Sequence, residues 1–193
     1  MVNSNSIDIL KLGEVIGNLK HLKRTGWTKW SEIKEVETVA CHMYRMAMFS
    51  MSIKELRPDL DIDRVIKICL VHDLAEALVG DITPHCGVSD LEKFNLEKEG
   101  FQEIINYLPK KTGDEWYEYW MEYEKQETAE ARCVKQLDKY DMIAQAYYYE
   151  KTYNIDLSDF FNSTEKSFFE VPFIEWNNTL RNDRNEFKSR KCI

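Results

Sequence analysis

The sequence has no pair of cysteines spaced two residues apart. Its five cysteines, Cys41, Cys69, Cys86, Cys133 and Cys192, are scattered and odd in number. Neither a zinc knuckle nor a complete disulfide framework is expected, and the thiols read as free. Glycine and proline are scarce, seven and four in 193 residues, which excludes a turn-rich or collagen-like chain. No run is apolar enough for long enough to span a bilayer. The opening MVNSNSIDIL lacks the basic start and apolar core of a secretion signal. A soluble, cytoplasmic protein with no membrane partner is the expectation. Basic charge is also short, with a net charge of −8. That disfavours a nucleic-acid polymer as partner, because binding a polyanion draws on clustered Lys and Arg. It leaves room for a small phosphorylated metabolite, which one arginine and a metal can hold. No Gly-rich phosphate loop, internal repeat or convincing strand is present.

What is present reads almost entirely as helix. The length and a hydrophobic content of 44% fit a single domain over residues 1–193 with a sizeable core. Residues 6–20 place Ile9, Leu12, Ile16 and Leu19 at helical spacing. LKRTGWTKW follows as a loop. Residues 37–56 read as a Met- and Ala-rich helix ending near Pro58. Asp61 or Asp63 is positioned to cap the next helix. Residues 79–89 form a loop and 90–108 an amphipathic helix, with Pro109 and Gly113 as breaks. Residues 114–128 alternate aromatics with acids on a helix, and 128–151 form the longest helix. The tail from 157 reads as one short and one longer helix ending in a frayed KSRKCI. The run Tyr147–Tyr149 cannot all face one core. With Trp116, Trp120 and Tyr123 it suggests aromatic surface in need of a partner.

The chemistry concentrates in residues 68–84, ICLVHDLAEALVGDITP. On a helix His72 and Glu76 share a face, with Asp73 beside His72 and Asp81 just after Gly80. A His–Asp pair in an apolar setting is costly to bury unless something neutralises it, and a divalent metal does so. His42 lies mid-helix among Val39, Met43 and Met46. Alone it would read as a core histidine. Asp138, between Leu137 and Met142, alone would read as a solvated acid. Together, three helices can deliver these four N and O ligands to one point in a bundle core.

The order His42, His72–Asp73, Asp138 resembles the H…HD…D pattern of the HD superfamily of metal-dependent phosphohydrolases. LKRTGW (22–27), ETVACHMYRMA (37–47), HDLAEALVGDITP (72–84) and AEARCVKQLDKYDMI (129–143) are similar to the HD-domain 5′-deoxynucleotidases. The likeness runs from about residue 9 to 151, with 152–193 a C-terminal helical extension. The resemblance implies an all-α HD-domain bundle that forms homodimers and hydrolyses deoxynucleoside 5′-monophosphates. It implies His42, His72, Asp73 and Asp138 as metal ligands. It implies Glu76 and Asp81 as catalytic acids that, with the carbonyl of Ile82, hold a possible second metal. Arg24 matches a phosphate-binding arginine, and Trp27 falls in the same motif as a candidate wall of the sugar pocket. One departure stands out: relatives usually carry an acid immediately before the first ligand histidine, where this chain has Cys41. A weaker outer hydrogen bond to that ligand is the expected consequence.

The residues support the chemistry without the family name. Phosphate-ester hydrolysis needs a water acidified by a metal, a base for which Glu76 is the candidate, and positive charge on the phosphoryl oxygens from Arg24. Asp81 is placed to bond a 3′-hydroxyl. A His/Asp site accepts Mn²⁺, Co²⁺ or Mg²⁺, and also Zn²⁺, Fe²⁺ or Ni²⁺. The alternatives are another HD phosphohydrolase, either a phosphodiesterase or a triphosphohydrolase, and a catalytically weakened nucleotide-binding HD module. The three cysteines near the ligands, Cys41, Cys69 and Cys133, read as small buried hydrophobes rather than metal-side thiols. His21 and His85 read as exposed. Arg45 and Lys135 could reach phosphate, but pairing with nearby acids is the stronger expectation.

Overall fold

The computed structural model describes residues 6–191. Within them the chain forms helices α1 (Ile9–Asn18), α2 (Val39–Ser52), α3 (Ile62–Val71), α4 (Glu76–Val79), α5 (Asp90–Ile105), α6 (Lys110–Lys125), α7 (Ala129–Tyr153), α8 (Ser158–Ser163) and α9 (Phe173–Lys191). Among the described residues no strand forms. Lys23 and Thr38 make one isolated antiparallel bridge. The helix starts are written in the sequence. Asp8, Thr38, Asp61, Ser89 and Thr128 each accept a hydrogen bond from a backbone N–H of the first turn. Each thereby satisfies a donor that the helix itself cannot. Asp61, rather than Asp63, is the cap of α3.

The main core lies between α2, α3, α6 and α7, around Met46, Ile68, Trp120 and Leu137. A second cluster joins the loop before α2 to the tail: Trp27 and Ile33 pack with Ile143, Tyr149, Leu157 and Phe161. Several expectations need correction. Gly113 does not break a helix but lies inside α6, and a Cβ there would sit 3.0 Å from the Ile105 carbonyl oxygen. Glycine is needed for close approach, not for a turn. Trp120 and Tyr123 are buried rather than surface aromatics, since α6 turns that face onto α3 and α5. Of the tyrosine run, Tyr149 is buried, Tyr147 half-buried and Tyr148 exposed. Residues 188–191 continue α9 instead of fraying, while Cys192 and Ile193, like residues 1–5, lie outside the described residues.

Candidate metal centre

The central stretch departs from a plain helix. α3 ends at Val71, and His72 is its C-cap, still in right-handed helical conformation. From there the chain tightens: Leu74 N–H bonds the Val71 carbonyl and Glu76 N–H the Asp73 carbonyl, three residues back, before α4 begins. The tighter winding departs from the 100° spacing on which the shared helical face was argued. It lets the neighbours His72 and Asp73 address one point, with His72 Nε2 3.2 Å from Asp73 Oδ2. His42, from α2, places Nε2 3.7 Å from the same Asp73 oxygen and 3.5 Å from Asp138 Oδ1 on α7. Donor atoms of His42, His72 and Asp73 all lie within 4.8 Å of one another. Three of the four side chains predicted as ligands therefore converge, and the fourth, Asp138, lies beside His42.

Each histidine uses its other nitrogen elsewhere. His42 Nδ1 is 2.7 Å from Asp141 Oδ2, and His72 Nδ1 is 2.9 Å from the Cys69 carbonyl oxygen. A carbonyl only accepts, so His72 carries its proton on Nδ1. A carboxylate imposes the same tautomer on His42. Both Nε2 lone pairs then point into the cluster, and neither finds a hydrogen-bond partner despite full burial. Two buried, unpartnered imidazole nitrogens beside two carboxylates fit a divalent cation. The electrostatics agree. Burial and Arg24 pull the His42 pKa down, yet Asp138 and Asp141 outweigh them and hold it at about 9, so the protein alone favours a proton on Nε2, the place a divalent cation would take while leaving the Nδ1–H tautomer. Burial opposes ionisation of Asp73 and Asp138 as well. Asp73 is nevertheless held low by His72, His42 and Arg24, and Asp138 by Lys139, His42 and Lys135.

Glu76 opens α4 with Oε2 buried and unpartnered. Burial, then the charges of Asp73 and Asp81, push its pKa well above the carboxylate range. Asp81 is also raised, first by burial. Its Oδ2 accepts the Thr25 N–H at 2.6 Å and its carbonyl accepts the Thr25 hydroxyl at 2.8 Å, stitching this loop to the turn after Arg24. Ile82 follows, half-buried in the same loop. The Lys23–Thr38 bridge and the Arg24 N–H bond to the Glu37 carbonyl pin the Arg24 loop to the start of α2. Arg24 Nη1 comes within 3.7 Å of Asp73 Oδ2.

Trp27 is not in this site. It is 1% exposed, stacked on Phe160 and edge-on to Tyr149, and its indole N–H reaches Glu37 Oε2 at 3.3 Å. A wall of the sugar pocket it cannot be, because its ring is spent on the second core cluster. Cys41 is exposed, contrary to the buried reading. The outer bond it was expected to weaken comes instead from Asp141 on α7. Cys69 and Cys133 are buried, and burial raises both thiols, Cys133 to about 12, so they stay protonated. His21 and His85 are exposed, as expected. Arg45 does pair with acids, and Lys135 caps the Tyr123 hydroxyl at 3.1 Å.

The sequence reading missed Asp141, Glu37, Tyr123 and Lys93. Asp141 was legible as a second acid three residues after Asp138, on the same side of α7. Tyr123 lies against the His72 ring and donates to Asp138 Oδ2 at 3.3 Å. Lys93, on α5, pairs with Glu97 and lies near enough to Asp73 and Glu76 for their charges to raise it. Nothing in its spacing pointed to the site.

A helical bundle that brings two oriented imidazoles and two carboxylates together beside a half-buried arginine defines the H…HD…D class of metal centres. The model of the HD domain family matches residues 16–172. The chain is 43% identical to the 5′-deoxynucleotidase HDDC2 of Dictyostelium discoideum, over 94% of this chain and 99% of that one. It is 40% identical to the protein of the same name from Homo sapiens, over 92% and 86%. Among solved structures, a conserved hypothetical protein from Pyrococcus furiosus superposes with a TM-score of 0.74 at 28% identity, covering 92% of this chain and 99% of that one. The chain belongs to the HD domain family. That family is metal-dependent, and the converging His and Asp side chains are the candidate ligands here.

Proposed function

We propose that the protein is a 5′-deoxynucleotidase that hydrolyses deoxynucleoside 5′-monophosphates to deoxynucleoside and phosphate. The observation that carries this reading is Arg24, a half-buried arginine whose guanidinium faces the same carboxylate that joins the two histidines. One guanidinium fork suits one phosphate and not a chain of them. The names of the relatives, at 36–43% identity, support the same substrate class. His42, His72, Asp73 and Asp138 would hold the metal, and Glu76, Asp81 and the Ile82 carbonyl a second, weaker one. A divalent cation there, with Mn²⁺, Co²⁺ and Mg²⁺ foremost, supplies Lewis-acid charge and acidifies a water nucleophile.

The chain's own groups do the rest. Arg24 neutralises the phosphoryl oxygens as charge shifts toward the leaving 5′-oxygen. Glu76 would take the proton released as water attacks phosphorus, with Arg24, Lys93 and the bound cation favouring the ionised carboxylate against the burial that opposes it. Asp81 has one oxygen committed to Thr25, which leaves Oδ1 for a sugar hydroxyl. Lys93 adds a second cation beside an otherwise acidic wall. The weakened-module alternative leaned on Cys41 as a missing outer acid, and the Asp141 carboxylate on His42 Nδ1 speaks against it. The reading includes one HD domain with a core of about 9–151 and an extension of 152–193, working in the cytoplasm as a homodimer. The exposed Tyr44, Met48 and Met51 along α2 support the dimer.

The test is phosphate release from dAMP and AMP, with and without EDTA, by wild type, Asp138→Ala and Glu76→Ala. The wild type should prefer dAMP and stop in EDTA. Asp138→Ala should lose bound metal, while Glu76→Ala should keep it and slow roughly 10²–10⁴-fold. Equal wild-type rates on the two nucleotides would overturn the substrate assignment. Equal metal loss in both variants would overturn the roles.

A further inference from the structure

We propose that Arg45 is a positioning residue that ties the orientation of His42 to the placement of Arg24. Its guanidinium reaches two buried carboxylates at once. Nε donates to Asp141, and Nη2 donates to Asp141 Oδ2 at 2.9 Å and to Glu37 Oε1 at 3.2 Å. Each carboxylate faces the site on its other side. Asp141 accepts from His42 Nδ1 at 2.7 Å. Glu37 Oε2 lies 3.8 Å from Arg24 Nε, and Arg24 continues to Asp73. Asp73 lies 3.7 Å from His42 Nε2, which closes the ring on the same imidazole. The path His42, Asp141, Arg45, Glu37, Arg24, Asp73 therefore joins a metal ligand and the phosphate cation through one residue.

Arg45 is not itself a ligand for phosphate. It spends its donors inside the protein, Nη1 on Gln145 Oε1 at 2.6 Å and Nη2 also on the Asp141 carbonyl at 3.1 Å. Its side chain is 33% exposed, toward a groove of about 540 Å³ bordered by Lys20, Cys41, Tyr44 and Gln145. Substituted side chains therefore have room. Lysine supplies a point charge and cannot span both carboxylates as a planar fork does. Losing an outer-shell partner of a ligand histidine typically weakens metal binding 10–100-fold.

The proposal rests on the reading of the His42 cluster as the metal site and of Arg24 as the phosphate residue. The experiment separates the two. Chelator-treated full-length wild type, Arg45→Met, Arg45→Lys and Asp141→Asn are titrated with Mn²⁺ by calorimetry. Inorganic phosphate is then titrated into each Mn²⁺-saturated protein, and helical content is checked by circular dichroism. Arg45→Met should weaken Mn²⁺ about 10–100-fold and phosphate about 10-fold, although neither ligand touches it. Arg45→Lys should recover part of both losses. Asp141→Asn should weaken Mn²⁺ with little change for phosphate. A merely structural role would lower the melting temperature and leave both affinities within twofold, which overturns the proposal. Loss of only one affinity in Arg45→Met overturns the link between the two halves. If Arg45→Met does not fold, Arg45→Lys decides by the same criteria. No Mn²⁺ binding by the wild type overturns the metal-site reading and the inference with it, a failure distinct from one confined to the variants.

Discussion

At the scale of single residues, the site is set by what each polar atom does with its second valence. His42 and His72 commit Nδ1 to Asp141 and to a backbone carbonyl, and that commitment aims Nε2. Trp27 shows the converse. Its N–H holds Glu37 while its ring fills the second core. Trp27→Ala should therefore destabilise the fold by about 3–5 kcal/mol and leave the dAMP/AMP rate ratio unchanged. Urea unfolding and paired rate measurements check this, and a threefold change in the ratio would return Trp27 to the sugar pocket. Glu97 gives a pH signature. Burial, more than the partner Lys93 can offset, pushes its pKa up to about 7. The folded state binds that proton more tightly than the unfolded chain, so stability is lost as pH rises from about 4.5 to about 7. Glu97→Gln abolishes this loss. Its stability relative to the metal-free wild type should rise by on the order of 2 kcal/mol between pH 4.5 and 8. A pH-independent difference would contradict the assignment.

At the scale of elements, caps fix where helices begin, and close contacts fix how they cross. Capping was readable: Thr38, Asp61, Ser89 and Thr128 are the residue types that satisfy first-turn donors. The crossings were not, because a glycine in sequence looks the same whether it makes a turn or a contact. Gly113 in α6 meets Ile105, whereas Gly13 in α1 meets nothing within 4 Å. Alanine at the two positions should act in opposite directions. Gly113→Ala should cost about 1–3 kcal/mol by overpacking, and Gly13→Ala should gain about 0.5–1 kcal/mol from helix propensity and a less flexible unfolded chain. Thermal unfolding of both variants tests the pair, and the same sign for both would refute the contact argument.

At the scale of the whole molecule, the tail braces the catalytic side. Arg184 on α9 makes two hydrogen bonds to the buried Glu150 on α7, at 2.6 and 2.7 Å, and lies over the Phe161 ring. Phe161 packs in the same cluster as Trp27, so α8 and α9 back the loop that carries Arg24. Removing Arg184 leaves a buried carboxylate short of its main cation. Arg184→Ala should cost about 3–5 kcal/mol, with hydrogen exchange rising first in α8 and α9. Uniform exchange across all helices would instead mean that the tail is no separate brace.

By itself the sequence determined the all-helical class, several of the helix starts and four candidate ligands. Those follow from local rules: periodicity, cap chemistry and residue types that only a metal reconciles with burial. The tertiary structure decided which outer residues orient the ligands. Asp141 lies 99 positions from His42 and touches it only because α2 and α7 pack together. It decided the fate of Trp27 and Cys41 as well, one drawn into a core and the other turned to solvent. Burial and long-range pairing depend on which faces meet, and no local pattern along the chain records that.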